Sequence, residues 1–171
     1  LKGEAKADFK LGVACAGGDC GMVNEFEGTA DGQIIPKLPS ESLLPEFDQT
    51  LHADRVLMGP KGPALLVSIV HPDQGLDRQD RREGRWKASP TTKLERLLRD
   101  TKNPLGLVTN GHGLRLMYAP PGFTAGHVTW SSRLLIEEKA TLDAFYTLLG
   151  RDLLCPADEA AHTLADLCRM S

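Results

Sequence analysis

At 171 residues the chain is long enough for one domain with a real core, or for one domain with an added layer. Apolar residues make up 41% and charged residues 25%, as in ordinary globular proteins, and the net charge of −3 excludes a whole-chain electrostatic footprint for nucleic acid, so any such contact needs a local basic patch. No run of 18 apolar residues and no signal-peptide pattern occurs, which excludes an apolar helical span and points to a cytoplasmic protein with no membrane partner.

Residues 1–35 show weak periodicity and many Gly, Asp and Glu, which reads as irregular or partly extended chain. Cys15 and Cys20 frame a glycine-rich loop, while Cys155 and Cys168 are 13 apart. The first pair could begin a metal knuckle, but no second close pair or Cys/His pair completes it, and the second pair lacks zinc-ribbon spacing, so the reading is four reduced thiols and no metal. "PKLPSESLLPEF" (36–47) is a Pro-punctuated connector, which sets a boundary between an irregular region over 1–44 and a domain over 45–171. The chain begins with Leu, and so reads as a piece of something longer.

"ADRVLMG" (53–59), the turn "PKGP" and "ALLVSIV" (64–70) predict a hairpin whose second strand is buried on both faces. "HPDQGLDRQDRREGRWK" (71–87) has no apolar period and reads as a long, charged, exposed loop. Ser89 and Pro90 open a helix as N-cap and first helical residue. Leu94, Leu97 and Leu98 form its apolar stripe, Glu95 and Arg99 can pair across one turn, and Asn103-Pro104 stops it. "LGLVT" (105–109), "NGHG" and "LRLMYA" (114–119) predict a second hairpin, with Leu114, Leu116 and Tyr118 on one face and Arg115 and Met117 on the other. A short strand "HVTW" (127–130) follows. Leu142, Phe145, Tyr146 and Leu149 mark a helix ended by Gly150, and Pro156 starts a last helix carrying Ala160, Leu164, Leu167 and Cys168 on one face. This order predicts an α+β fold, a mixed sheet flanked by helices.

Nucleases of the PD-(D/E)xK type place an Asp near the start of one strand and (Asp/Glu)-x-Lys on the next. The carboxylates hold Mg²⁺ and the Lys helps activate water. Asp54 stands at the first place, but the second slot falls on Ser68-Ile69-Val70, which offers neither a second acid nor an ammonium. Asp54 is then either a vestigial catalytic acid or a plain strand-end residue. Asp73, Asp77, Glu83 and Lys87 in the following loop offer a rescued site if they swing in. The densest cationic stretch holds nine cations between residues 78 and 102: Arg78, Arg81, Arg82, Arg85, Lys87, Lys93, Arg96, Arg99 and Lys102. Asp77, Asp80, Glu83, Glu95 and Asp100 interleave with them. The stretch reads as a solvated charged face or as a phosphate-contacting surface in which Trp86 stacks on a base or plugs the core. His71, His112 and His127 sit at strand ends or turns, and no HExxH, nucleophile elbow, P-loop or GxGxxG occurs.

The stretch "GRWKASPTTKLERLLRDTKNPLGLVTNGHGLRLMYAPPGFTAGHVTW" (84–130), with "LVTNGHGLRLMY" as its most specific part, resembles the N-terminal region of very large bacterial restriction–methylase proteins. These are the type IIG-like class and its phage-defence relatives of the DISARM kind. The resemblance covers roughly residues 45–150. It implies a nuclease-like sheet preceding an adenine-specific DNA methylase domain, with S-adenosylmethionine as the parent's cofactor and DNA, the methylase domain or defence-system subunits as partners. Of the nuclease residues only Asp54 carries over, so the implied active site is degenerate. The methylase signatures do not occur in this chain, which leaves it no cofactor of its own. The expectation is a non-cleaving DNA-binding or scaffolding module, with Arg78, Arg81, Arg82, Arg85, Trp86, Lys87, Lys93 and Arg96 facing DNA. Its alternatives are a Mg²⁺-dependent endonuclease with displaced ligands and a protein-docking domain that never meets DNA.

Overall fold

The structure is a computed structural model that describes residues 22–23, 40–59, 62–80, 82, 84–158 and 160–171. The readings of 1–35 as irregular chain and of Cys15 and Cys20 as thiols fall almost wholly outside these residues, and Arg81 and Glu83 lie outside them too.

A six-stranded mixed sheet organises the chain. Its strands are β1 (Met22–Val23), β4 (Arg55–Gly59), β5 (Gly62–Ile69), β6 (Leu105–Thr109), β7 (Gly113–Tyr118) and β8 (Gly126–Ser131), neighbours in that order. Every pairing is antiparallel except β5 with β6. That parallel step needs a crossover, which the loop after β5 and helix α1 (Pro90–Thr101) supply. A separate two-stranded sheet of β2 (Glu41–Leu44) and β3 (Gln49–His52) turns on a 3₁₀ turn at Pro45–Phe47. Four helices end the chain: α2 (Ser132–Glu137), α3 (Lys139–Leu148), α4 (Arg151–Leu154) and α5 (Leu164–Met170). Among the described residues no helix is long and apolar enough to cross a membrane.

Alternation along the strands builds a core on each face of the sheet. On one side Val56, Leu66, Val108 and Met117 meet Leu94, Leu97 and Leu98 of α1, together with Leu44 and Leu51 from the small sheet. On the other side Leu65, Val67, Leu105, Leu116 and Trp130 meet Leu154 and Leu164 of the C-terminal helices. Helix α1 forms for local reasons first. The Ser89 hydroxyl accepts from the Thr92 amide, Pro90 presets the first turn, and Lys102 closes the helix in the left-handed region. It sits close because β6 offers Gly106 beneath it, where a Cβ would come within 2.9 Å of Leu94 and Leu98.

Several elements depart from the sequence reading, β3, α2 and α4 having no counterpart in it. The connector over 36–47 contains strand β2, and its Leu44 is fully buried. The last helix starts at Leu164, not at Pro156, because Thr163 and Asp166 form a reciprocal capping box. The loop 71–87 is not a free exposed segment. Leu76 and Asp80 are buried, the Gln74 carbonyl accepts from Asn110, and the Leu76 carbonyl accepts from both the amide and the hydroxyl of Thr91.

Candidate functional site

The corner between β3 and β4 faces the end of β5 and the first turns of α1. Between them lies a cleft of about 410 Å³ whose polar lining is Gln49, Thr50, His52, Asp54, Ser68, Asp80 and Lys93, with Leu94 and Leu97 behind it. Arg55 pairs with Val67, so Asp54 stands across from Ser68, and Val70 lines the same cleft. The three positions singled out in the sequence are therefore together. Asp54 is exposed, and one of its oxygens accepts from the Ile69 amide at 2.7 Å, a bond that ties the corner to β5.

The remaining charge in the cleft is paired. Lys93 reaches Asp80 at 2.8 Å, with only 14% and 10% of the two side chains exposed. The other Asp80 oxygen accepts from the Arg82 amide. Both partners lose most of their water, so each is held by the other, and removing one would strand a buried charge. Nothing in the sequence marks the two as a pair: there Asp80 counts only as a neutralising acid and Lys93 as a surface cation. Of the loop acids offered as replacement ligands, Asp73 lies against His71 and Arg82, and Asp77 turns away to Arg115; neither lines the cleft. Among the described residues no group of three or more His, Cys, Asp or Glu side chains is arranged to hold a metal ion.

The cationic stretch does not form one open patch. Arg82 lies 3.6 Å from Asp73, Arg85 2.9 Å from Asp48, Arg96 2.7 Å from Asp100, and Arg99 2.8 Å from Glu95, the turn-to-turn pair expected from the sequence. Lys93 is in the cleft, Lys87 is exposed, and Arg78 and Lys102 are exposed with no ion pair among the described residues. Trp86 is half-buried. It stacks on Phe47 at 5.5 Å and 20°, and its amide donates to Gln49, so the loop is pinned to the small sheet through this ring. Asp100 titrates below the usual carboxylate range: burial opposes its charge, but the Ser42 hydroxyl and Arg96 outweigh that penalty.

A second polar centre lies where β7 passes the start of α1. Arg115 shares the α1 face of the sheet with Met117, two residues along the strand, and is only 7% exposed. Its Nε donates to the Thr129 hydroxyl at 2.9 Å and one Nη to the Thr91 hydroxyl at 2.8 Å, while both Nη atoms donate to the two Asp77 oxygens. This fork lowers the Asp77 pKa, partly offset by desolvation, with smaller help from Thr91 and His127. A signal for this centre exists in the sequence. An arginine at an inward strand position must find a partner, because an unpaired buried charge costs too much.

No family model, curated protein or solved structure matches this chain.

Proposed function

We propose that this chain is a non-cleaving module of a bacterial restriction–modification or phage-defence adenine methylase. It is a nuclease-like sheet that braces the larger protein and touches DNA weakly, through Arg78 and Lys102. S-adenosylmethionine and the methyl transfer belong to the parent's methylase domain. One observation carries the reading: Asp54 stands across from Ser68 in a cleft whose other carboxylate, Asp80, is bound by Lys93. Mg²⁺ needs several oxygen ligands. Asp54 has one oxygen on a backbone amide, and Asp80 has both oxygens engaged, so these residues do not fit a Mg²⁺ site. The self-paired cations favour bracing over holding DNA, since an ion-paired arginine must give up its carboxylate before it gains a phosphate.

The test is incubation of the purified chain with supercoiled plasmid and Mg²⁺ or Mn²⁺. The expected result is no nicking above the metal-free control. Nicking that Asp54→Ala abolishes would overturn the proposal in favour of a displaced-ligand nuclease.

A further inference from the structure

We infer that Arg115 is an anion-binding site for a phosphate group, which the chain's own Asp77 occupies as an internal stand-in. The two partners are unequally placed. The Arg115 side chain is 9% exposed while that of Asp77 is 70% exposed. The guanidinium is therefore built into the sheet, and the carboxylate reaches it from the water side, as a ligand would. Thr129 and Thr91 take up Nε and one Nη hydrogen, holding the plane of the fork, and both terminal nitrogens are aimed at the same two oxygens. Two parallel N–H···O bonds are the geometry in which arginine binds carboxylate and phosphate alike.

The surroundings favour an anion independently of that pair. Thr91 is the second residue of α1, and its hydroxyl lies 3.3 Å from Asp77. The positive end of a 12-residue helix therefore lies beside the site, and the first turn of α1 holds no acid of its own to offset it. His127 on β8 acts on the same carboxylate from the neighbouring strand. Among the described residues Asp77 is the one carboxylate that Arg115 bonds. Because the outer side of Asp77 is open to solvent, a tetrahedral group can approach the fork from the side that the carboxylate now takes.

The experiment follows the Arg115 Nε–H resonance in ¹⁵N-labelled protein during titration with inorganic phosphate. Removal of the stand-in by Asp77→Ala should tighten phosphate binding at least about tenfold, the loss of one competing charge-assisted pair, with Asp77→Asn in between. Adding Arg115→Gln to Asp77→Ala should abolish the gain. Should that double variant fail to fold, the Arg115 signal in Asp77→Ala alone decides, since a resonance that phosphate leaves unmoved sinks the site. A 5′-phosphorylated dinucleotide run beside inorganic phosphate separates the two sources of the same group, and whichever shifts the signal at lower concentration names the ligand. Equal affinity in wild type and both Asp77 variants would make the pair a loop clamp and nothing more.

Discussion

Replacing Trp86 separates a base-stacking ring from a core plug, and the structure assigns a magnitude to the difference. Complete removal of a buried tryptophan costs roughly 3–5 kcal/mol. Trp86 is half-buried, so about half of that, ~2 kcal/mol, is expected from lost burial. The stack on Phe47 adds about 0.5–1.5 kcal/mol beyond area. Trp86→Ala should therefore destabilise the chain by roughly 2.5–3.5 kcal/mol, read as a shift in the urea midpoint at unchanged slope. In a double-mutant cycle with Phe47→Ala, the coupling should recover about 0.5–1.5 kcal/mol. Anisotropy of a labelled duplex should barely change under the same substitution. A midpoint left in place by Trp86→Ala while DNA affinity collapses would refute the core-plug role, because the ring would then be serving a ligand and not the junction between loop and small sheet.

Counterion release gives a second expectation. The two exposed cations without an ion pair among the described residues of the stretch, Arg78 and Lys102, at about −0.9 each, predict a slope of log K against log salt of roughly −2, and a slope near −7 would mean that the ion pairs open on DNA. Leu98→Ala, at a fully buried position over Gly106, should cost about 3–4 kcal/mol in urea denaturation, whereas Leu43→Ser at a 67% exposed position should stay within about 0.5 kcal/mol. Asp77 and Asp100 both titrate below their unfolded value of 3.8, so the stability they add is present above that value and disappears as pH falls through their lower folded values. The urea midpoint should accordingly drop more steeply below pH ~4 in wild type than in Asp77→Asn with Asp100→Asn, and parallel curves would deny both carboxylates a role.

Where the chain's own local chemistry decides structure, the sequence was legible. Ser89, Pro90 and the Leu94–Leu97–Leu98 stripe mark α1 at its observed first residue. The Asn110-Gly111 turn works as its residue types demand: Gly111 takes a positive φ of 83°, and the Asn110 side chain accepts from the amides of His112 and Gly113. Strands β2 and β3 were not legible, because four residues each give too little alternation and Pro45 argues for a connector. The loop after β5 hides its anchoring for a related reason. It enters the fold through single side chains, Leu76, Asp77, Asp80 and Trp86, each meeting a partner distant in sequence, and isolated anchors leave no period.

The candidate cleft shows how far register matters beyond residue identity. From the turn outward, β4 and β5 pair Gly59 with Gly62 and Met58 with Pro63, a register that would continue to Asp54 opposite Val67. The bulge between Leu57 and Met58 shifts it by one, so that Leu57 pairs with Leu65 and Asp54 comes to Ser68. A one-residue slip reverses which face each partner presents, so without the bulge Asp54 would oppose a side chain directed into the core under the C-terminal helices. No residue pattern in "ADRVLMG" announces such a shift. It is nonetheless what sets the acid against the serine and lets the Ile69 amide bond it. On the proposed reading, the backbone thus presents an acid at the place where a nuclease needs one. What is missing is supplied by neither strand: Ser68 offers one neutral hydroxyl and Val70 no charge, and the ammonium that lines the cleft, Lys93, is held by Asp80. Supplying a second carboxylate at residue 68 would therefore not suffice, since Lys93 could leave Asp80 only by stranding a carboxylate that is 10% exposed.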